Sequence, residues 1–433
     1  MDEIFIKATS IGIPTLYLFL RVNARGGIGN DEVLSALKSL GGPLGLFGGL
    51  FILTLIGLLA NFASKLVVDG IAIELYKKRS KTQPIEQLVE EINKLPISAD
   101  LKVKLKWGVL HRPIRWYPQW KRFFTRGFIL FTLGVMGPSI AGYLGGFHQG
   151  FELLSHFKLQ YLILAIFPAI YFALTRQGFW LLFSGVCLLI NLWAILPWYF
   201  PAQSFPDRVE FSPPHRVLIS NVLGRNEQYD RAISLVRNEQ PDFAVFLESN
   251  GTWADKLAVL QDEFPYVVRA GGVTVYSKKS LEDVSIQQVV KNRPAILARV
   301  TLNGQELSLV ATHPHIPTRR QLFKARNRQL AAIAEYVSDL KTPAMVVGDL
   351  NTTMWSPYYQ VMVKTANLQN SRQGFGVMPT WPTHKPLFYI PIDHCLVSPE
   401  IKIIHMRIGP NVGSDHLPII VDFAVAKSTG DRP

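Results

Sequence analysis

Cysteine is almost absent from this sequence. Cys187 and Cys395 are the only two among 433 residues, which excludes a disulfide framework and a thiolate-bound structural zinc and leaves the redox compartment open. Charge is thin as well, at 18% of residues against 48% hydrophobic. Acidic residues are outnumbered 32 to 45. The start, Met1-Asp2-Glu3, lacks the basic region, apolar stretch and small-residue cleavage site of a signal peptide, so insertion into a membrane is expected to rely on internal helices. No internal repeat and no low-complexity tract is present, which excludes a repeat array.

What is present is length and hydrophobicity. The chain is long enough for two or three domains, and a mean hydropathy of +0.17 is high for a soluble protein. The net charge of +13 would suit a nucleic-acid or membrane-surface partner, and its distribution chooses between them. From Glu210 onward there are 24 Lys/Arg and 20 Asp/Glu, so most of the excess lies in the N-terminal half. That is the apolar half, where basic loops beside membrane helices are expected.

Four stretches, 44–63, 127–147, 159–175 and 179–199, are apolar enough to cross a hydrocarbon core, which takes about 17 to 25 helical residues. Gly45, Gly48, Gly49 and Gly57 in the first would allow close helix contact. Trp180, Trp193, Trp198 and Tyr199 in the fourth suit the membrane interface. Arg176-Gln177-Gly178 alone separates the third from the fourth, which implies a tight hairpin. Segment 71–126 holds thirteen Lys/Arg and is cytoplasmic by the positive-inside rule. Within it Ile85, Leu88, Val89, Ile92 and Leu95 recur at helical spacing, either on a helix lying on the inner membrane face or in a solvated subdomain. Counting spans outward from that loop puts the C-terminal half outside the cytoplasm, on a multi-pass inner-membrane protein. The apolar stretch 11–20 is short for a span.

The sequence changes character after a Pro-rich linker at 201–215. Short β-rich runs at 217–223, 243–247, 273–276, 295–302, 307–312, 344–347, 394–397 and 417–423 alternate with helical patterns at 227–237, 253–262 and 320–340. The expected organisation is a membrane domain at 1–200, the linker, a catalytic domain at 216–426 and a tail at 427–433. Strands in that number with helices between some of them predict an α/β sandwich of two sheets covered by helices.

Polar residues stand at the ends of those runs. Asn221 ends the first, Glu248 the second and His313 the fifth; Asp349 and Asn351 follow the sixth, and Asp393-His394 and Asp415-His416 flank the last two. Strand ends gather side chains from distant sequence into one cleft. Carboxylates, amides and imidazoles converging there can hold a hard cation and polarise a phosphate. Oxygen ligands without thiolates favour Mg2+ or Mn2+. Singly, each has a plainer account: a turn cap at Glu248, an Asx-turn at Asp349 and Asn351, a loop pair at His313 and His315. The ordered set does not.

That ordered set resembles the endonuclease/exonuclease/phosphatase superfamily, which includes DNase I and the inositol polyphosphate 5-phosphatases. The resemblance covers about 216–424 and rests on Asn221-Val222-Leu223-Gly224-Arg225-Asn226, Pro241-Asp242 through Leu247-Glu248, Gly348-Asp349-Leu350-Asn351, Pro379-Thr380-Trp381-Pro382, Ile392-Asp393-His394 and Ser414-Asp415-His416. These look like a membrane-anchored bacterial branch. The resemblance implies a four-layer DNase I-like β-sandwich. It also implies a divalent cation at Glu248 with Asn221 and Asp415 close by, and an attacking water oriented or deprotonated by Asp349. Asn351 would hold a phosphate oxygen, His416 oriented by Asp393 would act on the phosphate or nucleophile, and His313 would donate to a non-bridging oxygen. Lys278-Lys279 depart from the Arg and small apolar pair of many relatives, and His315 and His394 receive no role.

The expected function is therefore a membrane-anchored, metal-dependent phosphodiesterase or phosphatase whose substrate could be a lipid head group of the adjoining bilayer. An extracytoplasmic nuclease is the alternative, disfavoured by the near balance of charge after residue 210 and by the lack of a basic patch with interleaved aromatics. A non-catalytic membrane scaffold is the alternative of another class. The cations Arg319, Arg320, Lys324, Arg326 and Arg328 read as a solvated helix face or as a guide for anionic substrate. No protein partner is inferable.

Overall fold

The computed structural model describes residues 72, 73, 75, 76, 79, 80, 82–110, 119–201, 205 and 209–427. The first expected span, the stretch at 11–20, parts of the basic segment and of the linker, and nearly all of the tail lie outside these residues. The chain divides into two compact units, Met1–Gly134 with Leu164–Val186, and Val135–Ile163 with Cys187–Pro433.

In the first unit, helices α1 (Ile85–Lys94) and α2 (Ala99–Leu110) share a small core of their own. Leu88 and Ile92 pack with Leu101, Leu105 and Val109. The helical spacing seen in the sequence thus has a partner helix, and the apolar face is spent on a packed subdomain. Later in this unit the Phe128 and Tyr171 rings stack with centroids 4.1 Å apart.

Four further helices carry the apolar sequence: α3 (Gln119–Ala141), α4 (Gln149–Ser155), α5 (Lys158–Leu174) and α6 (Gly178–Ile195). Among the described residues two helical segments, Phe123–Leu144 and Gly178–Tyr199, are long and apolar enough to cross a membrane. The expected span at 159–175 is met by α5, which passes the same test only together with α4, from which it is bent by 70°.

The second unit holds a two-sheet sandwich. Its strands are β1 (His215–Asn221), β2 (Phe243–Leu247), β3 (Tyr266–Ala270), β4 (Val273–Ser277), β5 (Glu282–Val290), β6 (Arg293–Leu302), β7 (Gln305–Thr312), β8 (Ala344–Asp349), β9 (Gln369–Asn370), β10 (Asp393–Val397), β11 (Ile401–Ile408) and β12 (Ile419–Val425). One sheet has the order β11-β12-β1-β2-β4-β3 and the other β5-β6-β7-β8-β10-β9. Two-residue periodicity divides each strand between two cores. Val217 and Ile219 of β1 face the space between the sheets with Val245, Leu309, Ala311, Met345 and Val347. Leu218 faces helices α7 (Tyr229–Glu239) and α8 (Thr252–Leu257) through Val236, Trp253 and Leu257. Helices α9 (Arg320–Ser338) and α10 (Pro357–Thr365) cover the other sheet through Leu330, Ile333, Ala334 and Met362. Central strands covered on both faces read as unbroken apolar runs, which is why they were legible.

The compact unit is wider than the expected 216–426. It takes in 135–163 and 187–200, and the chain before β1 is held to the sandwich: Gly374 and Gly376 donate to the Trp198 carbonyl at 3.0 and 2.9 Å, and Gln373 Nε2 to that of Pro197 at 2.7 Å. The entry to the linker is therefore docked. The last strand also starts later than expected, at Ile419 instead of Leu417, because Leu417 and Pro418 belong to the loop that carries Asp415 and His416; Leu417 donates to the Thr380 carbonyl at 2.9 Å.

Candidate active site

Two parallel strand pairs bring four of the expected residues together. Parallel neighbours end on the same side, so β1 beside β2 places Asn221 next to Glu248, and β7 beside β8 places His313 next to Asp349. Gly348 makes the second approach possible. Its φ is +146°, and a Cβ there would lie 1.8 Å from the Thr312 carbonyl oxygen. Glu248 and Asn351 also have left-handed backbones, φ 60° and 50°, a strain that non-glycine residues usually keep only where the surrounding structure demands it.

Asn221 bridges the sheets. Its Nδ2 donates to Glu248 Oε1 at 3.2 Å and to Asp349 Oδ2 at 3.1 Å, while its Oδ1 accepts from the Leu223 N–H at 3.1 Å. The amide thus presents donors to both carboxylates, and the oxygen that could meet a cation is turned to the backbone. Gly224 N–H donates to Glu248 Oε2 at 3.1 Å.

Asp349 collects the most partners. Asn351 N–H donates to its Oδ1 at 2.9 Å, and Oδ2 faces His313 Nε2 at 3.4 Å and His416 Nε2 at 3.7 Å. Burial alone would raise its pKa, but the two imidazoles and the Asn351 N–H hold it below the usual carboxylate range. Asn351 Nδ2 donates to the Pro314 carbonyl at 3.1 Å.

Asp393 lies opposite Asp349 in the antiparallel β8–β10 register. His416 Nδ1 donates to its Oδ2 at 2.9 Å. Burial would depress the His416 pKa; the carboxylates of Asp393 and Asp349 outweigh it and raise the pKa to about 9. The loop bearing His416 is pinned because Ser414 Oγ donates to the Asn221 carbonyl at 2.7 Å and accepts from the His416 N–H at 3.1 Å. Asp415 Oδ2 accepts from Trp381 Nε1 at 3.1 Å. Its Oδ1 is buried with no hydrogen-bond partner.

Several contributors escaped the sequence reading. Arg293 Nη1 lies 3.1 Å from His313 Nδ1. A guanidinium can only donate, so Nδ1 accepts and the His313 proton sits on Nε2, facing Asp349. His315 lies beside the same guanidinium, its Nδ1 accepting from Arg293 Nε at 3.4 Å. His394 is structural: Nε2 donates to the Thr352 carbonyl at 2.8 Å, Nδ1 accepts from Asn370 Nδ2 at 3.1 Å, and burial beside Arg372 pushes its pKa down to about 3. Arg326 is fully buried, contrary to a solvated helix face. It donates to the Asn351 carbonyl at 2.9 Å and to Glu152 Oε1 of α4 at 2.9 Å.

A cavity of about 720 Å3 opens over these groups, lined by Glu248, Asp349, Asn351, Asp415 and His416. Among the described residues, ligand atoms of Asp349, Asp393 and His416 lie within 4.8 Å of one another, but there the Nδ1 proton of His416 already joins it to Asp393. Glu248 and Asp415 line the same cavity and carry oxygens alone, the ligand type a hard divalent cation prefers.

Residues 218–416 match the family model described as Endonuclease/Exonuclease/phosphatase family. This segment is an endonuclease/exonuclease/phosphatase domain. All eight expected site residues, from Asn221 to His416, lie inside the matched segment, and the family is one of phosphoester-hydrolysing enzymes. Among solved structures, an endonuclease/exonuclease/phosphatase of Beutenbergia cavernae DSM 12333 is similar at 18% identity, covering 49% of this chain and 72% of that one with a TM-score of 0.40. The beta toxin of Staphylococcus aureus is similar at 20% identity over 49% of this chain and 100% of that one, TM-score 0.38. The human Nocturnin catalytic domain with bound sulfate anion is similar at 17% identity over 52% and 100%, TM-score 0.41. No curated protein matches the chain. Glu152 and the rest of α4 lie outside the endonuclease/exonuclease/phosphatase match, although Glu152 is bonded to Arg326 and Ser356 within it.

Proposed function

We propose that the chain is a membrane-anchored, divalent-metal-dependent phosphoester hydrolase, a phosphodiesterase or phosphatase that uses in-line attack by water. The observation that carries this reading is the convergence on one cavity of Glu248, Asp349, Asn351, Asp415 and His416, with Asn221, His313 and Asp393 hydrogen-bonded or ion-paired to them. Glu248 and Asp415 would hold Mg2+ or Mn2+, with Asn221 fixing Glu248; the cation would supply Lewis-acid polarisation of a phosphoryl oxygen.

The remaining steps belong to side chains. Asp349, ionised, held by two donors and flanked by two imidazoles, orients the attacking water; a carboxylate stabilised this far is a weak base, so its contribution is mainly positional. His313 Nε2–H and His416 point toward the same oxygen of Asp349 and can shift to charge developing on the phosphoryl group. Asp393 keeps His416 oriented, and Asn351 adds a donor beside the phosphate.

Membrane anchoring is supported by the two apolar helices of spanning length. The proposed sidedness, with catalysis outside the cytoplasm, rests on the excess of Lys/Arg in segment 71–126. Gln149 reaches the Pro317 carbonyl at 2.7 Å and Trp355 reaches the Ala194 carbonyl at 2.9 Å. The chain at 149 and at 194 is thereby held to the catalytic domain.

Metal activation gives the test. Full-length chain stripped with chelator is expected to lose hydrolysis of bis(4-nitrophenyl) phosphate and to regain it with Mg2+ or Mn2+. Glu248→Gln should raise the half-activating metal concentration by about tenfold or more. Activity untouched by the chelator would remove the metal from the account.

A further inference from the structure

The catalytic cavity has a second wall of different chemistry. Besides the carboxylates it is lined by Leu153, Phe157, Ile316 and Ile390, and Arg225 is the only lysine or arginine among its lining residues. Leu153 lies on α4 and Phe157 in the bend before α5, within the hydrophobic half of the sequence and outside the matched domain.

The mouth is rimmed by large apolar side chains left in the open. Leu153 is 36% exposed, Ile316 50%, Phe388 53% and Leu387 82%. The Phe388 ring meets Phe157 edge-on, centroids 6.3 Å apart. Large apolar side chains left exposed beside a cavity mark a surface that meets something apolar.

The bend between α4 and α5 is fixed to the site. Buried Glu152 accepts from Arg326 at 2.9 Å and from Ser356 Oγ at 2.7 Å. His156 Nδ1 lies 3.0 Å from Thr353 Oγ1, two residues beyond Asn351. Gln149 holds the loop carrying Ile316 through the Pro317 carbonyl, and Gln160 holds the loop carrying Phe388 through the Tyr389 carbonyl, both at 2.7 Å. The candidate span Phe123–Leu144 ends just before α4, which on the membrane-anchored reading puts the bend at the bilayer surface.

We infer that residues 149–160 form a substrate-selecting wall of the active site, and that the wall with its rim receives the hydrocarbon part of an amphiphilic phosphoester, a lipid, while the acidic end receives its phosphate. This rests on the hydrolase reading and narrows its substrate. A polynucleotide would need cations along its backbone, and the cavity offers Arg225 alone.

The experiment compares methyl, hexyl and dodecyl 4-nitrophenyl phosphate diesters on full-length chain in lipid nanodiscs with Mg2+. Discs take up the longer chains equally for every variant, so the readout is each variant's dodecyl-to-methyl ratio of kcat/KM relative to wild type. Phe157→Ala is expected to lower that ratio by about fivefold or more, the loss of roughly half a buried apolar side chain. Ile316→Ser, at a half-exposed position where folding is not at stake, should lower it in the same direction. Both rates falling together with the ratio unchanged would overturn the wall, as would faster cleavage of a single-stranded oligonucleotide than of the dodecyl ester. Turnover of none of the diesters by wild type would overturn the inference, and turnover of neither these nor 4-nitrophenyl phosphate the hydrolase reading with it.

Discussion

Asp349→Asn is expected to abolish most phosphoester hydrolysis, lowering kcat by about a hundredfold or more, the scale of losing the group that positions the attacking water, while the chain still folds. The substitution keeps the shape of the side chain and removes its charge. In the folded protein that charge is addressed by Asn221 at 3.1 Å, Asn351 N–H at 2.9 Å, His313 at 3.4 Å and His416 at 3.7 Å. With a neutral amide there, a water has lost its acceptor and the two imidazoles their common partner. Circular dichroism and a cooperative thermal transition would establish folding, and initial rates with saturating Mg2+ would give the loss. A rate within about threefold of wild type would deny Asp349 its place in the chemistry, since groups of this kind are worth far more.

The second large effect lies outside the catalytic side chains. Glu152→Ala is expected to destabilise the second unit by about 3–5 kcal/mol, because it leaves the buried Arg326 guanidinium without its counter-charge. Glu152 and Arg326 are both fully buried and 2.9 Å apart, and Glu152 also takes the Ser356 hydroxyl. A loss of that size corresponds to a fall in melting temperature of roughly 6–20 °C for a unit of this length, read by scanning calorimetry of the full chain in detergent. The double variant Glu152→Leu with Arg326→Met should recover much of it, because two matched apolar groups leave no charge stranded. A fall below about 1 kcal/mol in the single variant would mean that Arg326 finds solvent or another partner. The same contact explains why a fragment beginning at residue 216 is not equivalent to the catalytic unit. It would strand Arg326 and uncover the face that Ile195 and Trp198 occupy.

Much of this site was legible in the sequence because the strands that carry it are central and doubly covered. Their apolar runs stop at Asn221, Glu248, His313 and Asp349, so the polar residue at each stop marks itself. The strands that escaped notice are those that lack such a run. Tyr266–Ala270 is a short, partly exposed strand at a sheet edge, Glu282–Val290 is polar and exposed along most of its length, Ile401–Ile408 carries Lys402, His405 and Arg407 at a sheet edge, and Gln369–Asn370 is two residues long. Arg293 was hidden for another reason. In Lys291-Asn292-Arg293-Pro294 it reads as turn chemistry, and only the fold shows His313 beside it. Arg326 sits among other cations on a helix, and nothing near it in sequence announces a partner 174 residues upstream. Glu152 in turn looks like a stray acid in an apolar region. Local patterns report which face of an element is buried; they do not report what meets it.

The measurement that tests the central claim most directly is hydrolysis of a diester, bis(4-nitrophenyl) phosphate, or a monoester, 4-nitrophenyl phosphate, by purified full-length chain, followed as 4-nitrophenolate with Mg2+, with excess chelator, and with the chelator then overtitrated by Mg2+. The account predicts turnover in the first and third conditions and none in the second. Turnover that persists in chelator, or no turnover under any of the three, would contradict it.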